Sequence, residues 1–264
     1  MNLISSRDNT AVKEYIRISG SAAERRERGL CAVEGYRICM DAYENGLIPD
    51  LLFVTQEELD RRGNPLMEMA KAARRTNVIS PSVAQKLSDT KTPQGIFCLF
   101  PIPEEHPKEH FRKGRLLLLE GVRDPGNIGT IVRTAEALGL DGLILSADTV
   151  DPFSPKVIRG TMGGIFRLPL RVVEDPFNEL EELKEAGVVT YAAVCREGKP
   201  LSRLTKEGFP PNCAVAIGNE GDGLTETAVS HCCEKVTIDM PGRAESLNAA
   251  MAAGILMWEI CRES

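Results

Sequence analysis

Three stretches of the chain close an apolar run with a cluster of hydrogen-bonding side chains. The first is Asp124-Pro125-Gly126-Asn127, with Arg133 six residues beyond Asn127. The second is Gly218-Asn219-Glu220-Gly221-Asp222-Gly223, and the third runs from Ile238 through Gly242 to Ser246-Leu247-Asn248. Ser246 stands where the N-cap of a helix would stand, and Asn248 follows it across one apolar residue. A helix start leaves amide N–H groups without intrahelical partners, so such a turn can meet a ligand that carries electron-rich atoms. Without that ligand, the same residues read as a common cap followed by a surface asparagine.

Each cluster needs a rigid support, and the flanking sequence predicts one. Leu247, Met251, Ile255 and Trp258 recur at helical spacing, which predicts a helix with that face buried in a core. Leu116 to Leu119 reads as a buried strand, followed by a glycine-proline loop and a helix whose apolar side holds Ile128, Ile131, Val132, Ala135 and Leu138. Cys213 onward is again an apolar strand running into a glycine-rich turn. Strands ending in polar loops of this kind can form the rim of one site in an α/β sheet.

Taken in order, the three clusters resemble the three motifs of the SpoU (TrmH-like) RNA ribose 2'-O-methyltransferases of the SPOUT superfamily. The resemblance covers the C-terminal half of the chain and implies methyl transfer from S-adenosyl-L-methionine to a ribose 2'-hydroxyl, with no metal. Gly218, Ile238 and Leu247 match positions that contact the cofactor, and Gly223 and Gly242 lie in the same two loops. Glycines suit this, because backbone approaches a ligand closely where no Cβ intervenes. Arg133 matches the family's catalytic arginine, and Asn127, Glu220, Ser246 and Asn248 match its other polar positions. With a pKa above about 12 a guanidinium is a poor proton acceptor, so Arg133 is expected to orient a phosphate or hydroxyl and stabilise the forming oxyanion. Glu220 is the alternative proton acceptor. The resemblance also implies a trefoil-knotted parallel sheet, an exception to the usual topology rules, and a homodimer with the site near its interface. Asp239 departs from the pattern: a proline is common there, and Pro241 follows just after, as if the turn were rearranged.

Helical and strand patterns alternate in the N-terminal hundred residues, which predicts a smaller α/β domain. The expected strands are Leu30–Val33, Leu51–Val54, Val78–Ile79 and Gly95–Phe100, with helices over Asn9–Ser19, Tyr36–Tyr43, Pro65–Arg75 and Ser82–Leu87. VKEYIRI, AVEGYRICMDA and TKTPQGIFCLF are similar to the ribosomal-protein-like substrate-binding domain that precedes many SpoU domains. That similarity implies an RNA-docking module, with ribosomal RNA the first substrate expected and transfer RNA the second. The expected organisation is residues 1–100 for docking, a proline-rich linker over 101–113, and a methyltransferase domain over 114–264.

A net charge of -6 is unusual for a nucleic-acid binder, but residues 1–113 are close to neutral and hold the local groups Arg25/Arg26/Arg28, Arg61/Arg62 and Lys71/Arg74/Arg75. These are expected either to meet phosphates or to form solvated helical faces. Eight cysteines without a C-x-x-C pair read as reduced thiols in a cytoplasmic protein. Neither His106/His110 nor His231-Cys232-Cys233 supplies a metal-ligand set. No apolar run has the ~20 residues of a membrane span, and no export signal is expected. A dinucleotide-binding oxidoreductase requires G-x-G-x-x-G after the first strand, a spacing that GVRDPGNIG fails. A catalytically silent RNA-binding factor and a transfer-RNA methyltransferase remain as alternatives. Base methylation is disfavoured by the Asn127/Arg133 and Ser246-Leu247-Asn248 pairing.

Overall fold

A computed structural model of the chain describes residues 2–262. It divides into two compact units, Met1–Glu104 with Asp151–Phe166, and Glu105–Val150 with Arg167–Ser264. No helix among the described residues is long and apolar enough to cross a membrane.

The first unit runs β1 (Asn2–Ile4), α1 (Thr10–Gly20), α2 (Ala22–Arg28), β2 (Leu30–Glu34), α3 (Tyr36–Glu44), β3 (Leu51–Thr55), α4 (Gln56–Arg62), α5 (Asn64–Ala72), β4 (Thr76–Ile79), α6 (Pro81–Leu87) and β5 (Ile96–Pro101). Its sheet has the order β1-β4-β3-β5-β2, with β5 antiparallel to both neighbours. One core cluster joins Val12, Tyr15 and Ile18 of α1 to Phe53, Phe97 and Leu99 of the sheet and to Val83 and Leu87 of α6. Tyr15 meets the edges of Phe53 and Phe97, and its hydroxyl donates to the Val33 carbonyl. The four expected strands and four expected helices are present. Two further helices, α2 and α4, lack the apolar stripe that periodicity detects. They are short and charged, and are set instead by Ser21 and Thr55 capping their first turns.

The local basic groups of this unit are mostly neutralised within it. Arg25 is buried, donating to the Ile18 and Ser19 carbonyls and to Asp151. Arg61 and Arg62 both pair with Glu58, and Arg62 also lies over the Tyr36 ring. Arg75 is shared between Glu14 and Asp50. Clustering along the sequence therefore overstated the charge available to phosphates: Glu58 compensates Arg61 and Arg62 from the same helix, and Arg25 and Arg75 are compensated from distant positions.

The second unit begins with β6 (Arg115–Leu119), α7 (Pro125–Ala137) and β7 (Gly142–Ser146). The next segment, with α8 (Pro155–Thr161), belongs to the first unit, where it packs on β2. Then come β8 (Leu170–Val173), α9 (Pro176–Glu185), β9 (Val189–Ala193), β10 (Lys199–Pro200), α10 (Leu201–Glu207), β11 (Cys213–Ile217), α11 (Glu226–His231), β12 (Glu234–Thr237) and α12 (Ala249–Cys261). All seven strands are parallel, in the order β10-β12-β9-β11-β6-β7-β8. The uninterrupted apolar runs of β6 and β11 fit strands covered on both faces. Leu116, Leu118, Ala214 and Ala216 pack with α9 and α11, and α12 lies over β11 and β6 beside α7. The strand before the third cluster, β12, is interior to the sheet, because the two-residue β10 pairs on its outer side. Within the proline-rich stretch, Phe111 is fully buried in this core and Arg112 is held by Glu179 and Glu182.

The last helix differs from expectation in two respects. Its N-cap is Asn248, whose Oδ1 accepts from the Ala250 and Met251 amides, so Ser246 lies upstream of the helix. Its buried side is Ala249, Ala250, Ala253, Leu256, Met257 and Ile260. The large apolar residues at helical spacing instead face outward, with Leu247 38%, Met251 60% and Trp258 56% exposed. A helix apolar all round carries no periodic signal to say which side is covered.

Candidate active site

The three motif loops leave the carboxyl ends of β6, β11 and β12, where ligands bind in open α/β sheets. The first two loops are fastened together at their roots. Glu120, buried at the end of β6, accepts from the Thr225 amide at 2.9 Å and from its hydroxyl at 2.7 Å, while its own amide donates to the Ile217 carbonyl. The second loop then folds on itself. Asn219 Oδ1 accepts from the Gly221 and Asp222 amides, both at 2.8 Å, and Gly223 takes φ +74°. A Cβ on Gly218 would sit 1.9 Å from the Gly223 carbonyl carbon, so this glycine is required by the loop's own closure.

Of the five polar side chains expected to act together, Asn127, Glu220 and Asn248 are in contact. Asn127 Nδ2 donates to Glu220 at 2.7 Å, and Asn248 Nδ2 donates to Asn127 Oδ1 at 3.0 Å. The Arg123 and Asp124 amides also point at Glu220, at 3.4 and 3.3 Å. A single hydrogen-bonded chain thus links all three loops, one side chain from each. Partial burial tends to raise the Glu220 pKa, but the donors from Asn127 and the backbone outweigh it and hold the carboxyl below its ordinary value of 4.5. Glu220 is therefore an ionised acceptor already engaged by its neighbours.

Behind this chain lies a cavity of about 400 Å³, walled by the second and third loops and by the residues after β9. Gly218, Gly223, Ile238, Leu247, Glu220 and Ser246 line it. Asn127 and Asn248 adjoin it through the hydrogen-bonded chain, and Gly242 is outside the lining. Arg133 is also outside the lining, exposed on α7 almost two turns beyond Asn127, with no hydrogen-bond or ion-pair partner among the described residues. The motifs did not mark the wall from Ala193 to Arg196. It follows an apolar strand, β9, whose place between β11 and β12 is set only by the tertiary fold.

Asp239 accepts from the Ser202 amide at 2.9 Å at the start of α10. That bond holds its carboxyl below the usual range and ties the third loop to a neighbouring helix. No cluster of three or more metal-ligating side chains occurs among the described residues.

Residues 114–258 match the SpoU rRNA methylase family, and the chain belongs to that family. Residues 9–98 match the MRM3-like substrate-binding domain. The 23S rRNA (guanosine(2553)-2'-O)-methyltransferase RlmP of Bacillus subtilis is 29% identical over 98% of this chain and 99% of its own length. The 23S rRNA (uridine(2479)-2'-O)-methyltransferase of Streptomyces viridochromogenes is 28% identical over 97% of this chain and 90% of that one. Among solved structures, an AdoMet-bound rRNA methyltransferase from Sinorhizobium meliloti superposes with a TM-score of 0.84 at 27% identity, covering 98% of this chain and 97% of its own. The SpoU methyltransferase AviRb from S. viridochromogenes, in complex with AdoMet, superposes with a TM-score of 0.82 at 27% identity, covering 96% and 97%.

Proposed function

We propose that this protein methylates a ribose 2'-hydroxyl in ribosomal RNA with S-adenosyl-L-methionine as donor. The observation that carries the reading is the Glu220–Asn127–Asn248 chain, which draws three distant motif loops together beside a cavity of cofactor size. The donor set fits that cofactor. The apolar wall of Ile238, Leu247 and Leu256 suits a flat heterocycle, and Glu220, Asp222 and Glu245 supply negative charge toward a sulfonium and an ammonium. When bound, the cofactor supplies an electrophilic methyl group.

The protein's own residues then have two tasks, holding the acceptor in line and easing loss of its proton. In this reading Ser246, on the cavity wall, and Asn127, beside it, orient polar groups of the acceptor. Glu220, ionised and hydrogen-bonded by several donors, is better suited to rigidifying the loops than to taking a proton. Arg133, without a partner among the described residues, suits an RNA phosphate or the developing oxyanion. We read the protein as a homodimer whose pairing face includes the outward stripe Leu247, Met251 and Trp258. Leu247 belongs both to that stripe and to the cavity lining, which supports a pairing face next to the cofactor site. The trefoil knot of the family and a cytoplasmic location belong to the same reading.

Transfer RNA is the second substrate class. Incubating the protein with labelled cofactor and either unmodified ribosomal RNA or transfer RNA, then mapping ribose methylation, separates the two. Label on transfer RNA alone overturns the ribosomal assignment, and label on a base overturns the ribose assignment.

A further inference from the structure

The cavity lining holds three carboxylates, Glu220, Asp222 and Glu245, but its single cation among the described residues is Arg196. Arg196 has no ion pair or hydrogen bond there. It sits in the short connection from β9 to β10, and the backbone on both sides is held. The Val194 amide donates to the Val236 carbonyl at 2.9 Å, and the Gly198 amide donates to Thr237 Oγ1 at 3.0 Å. Between them Glu197 adopts φ +62°, a left-handed conformation that few non-glycine residues take. A Cβ at Gly198 would lie 2.7 Å from the Val236 carbonyl carbon, so this turn is pressed against β12. The base of Arg196 is thereby fixed at the cavity wall, and its guanidinium has no partner among the described residues.

We propose that Arg196 receives the α-carboxylate of S-adenosyl-L-methionine and so determines which sulfonium compounds the cavity accepts. The inference rests on the cofactor reading above. The cofactor carries two cationic groups, its sulfonium and its ammonium, and one anion. The lining offers several acids for the former and one guanidinium for the latter, which is the complementarity that fixes orientation.

The test is calorimetric titration of the full chain with S-adenosyl-L-methionine and with its decarboxylated analogue, using the wild type, Arg196→Gln and Arg196→Lys. The wild type should prefer the carboxylate-bearing compound by roughly tenfold, about the value of one charge-assisted hydrogen bond at an open site. Arg196→Gln should lose that preference while binding the decarboxylated compound as the wild type does, and Arg196→Lys should keep part of it. An equal loss for both compounds overturns the proposal, since the arginine would then only pack the wall. Unchanged cofactor affinity with weakened RNA binding also overturns it, by making Arg196 a phosphate contact. Failure of the wild type to bind either compound removes the cofactor reading itself.

Discussion

Replacing Asn127 with alanine is the sharpest single perturbation of the site, because this side chain is the middle link between the three loops. It donates to Glu220 at 2.7 Å and accepts from Asn248 at 3.0 Å. A hydrogen bond contributes a net ~0.5–1.5 kcal/mol. With both partners exposed the lower half of that range applies, so the pair should be worth about 1–2 kcal/mol. Part of this holds the second and third loops in the arrangement that walls the cavity. Asn127→Ala should therefore weaken S-adenosyl-L-methionine binding by up to about tenfold. The melting temperature should fall by roughly 2–5 °C. Calorimetric titration and thermal melts measure the two effects. A double-mutant cycle with Glu220→Ala should give a coupling of at least about 0.5 kcal/mol. Additive effects together with unchanged cofactor affinity would refute the claim that this chain organises the site.

Gly218→Ala should destabilise by about 1–3 kcal/mol through backbone overlap with Gly223, whereas Gly242→Ala, with no atom within 4 Å of the added Cβ, should be near neutral in the same urea titration. Glu220 has a lowered pKa when folded, so its contribution is complete above its ordinary value of 4.5 and is lost as the pH falls below it. The stability difference between wild type and Glu220→Gln should accordingly be flat near neutrality and shrink on acidification below that value. A difference that instead grows would mean the carboxyl is protonated in the fold. Met251→Lys with Trp258→Lys should convert a dimer to a monomer in sedimentation while preserving the fold by circular dichroism. Arg133→Ala should keep cofactor affinity and lose methyl transfer to RNA, and near-normal transfer would remove the role assigned to it.

Local signals located most of the elements. The apolar runs of β6 and β11 mark buried strands on their own, and Pro81, Pro125, Pro155 and Pro176 each sit at a helix start, where a missing N–H is harmless. Elements too short or too charged to carry a period, such as α2, α4 and β10, escaped that reading. The basic groups of the first unit were visible as clusters, and Glu58 lies within a turn of Arg61 and Arg62, but Asp151 and Asp50 reach Arg25 and Arg75 from positions that no short window of sequence contains.

For the site, the three polar clusters after apolar runs were visible in residue types and spacing, and the resemblance to the SpoU motifs singled out Asn127, Glu220, Ser246 and Asn248 within them. Which of them touch was decided only by folding. Seven parallel strands in a non-sequential order bring residues about a hundred positions apart to one rim, and that order depends on long-range pairing. The same holds for the outward face of α12, for the wall that carries Arg196, and for Asp239 capping α10. Each depends on what a surface is packed against, and the pattern along one chain segment does not contain its neighbour.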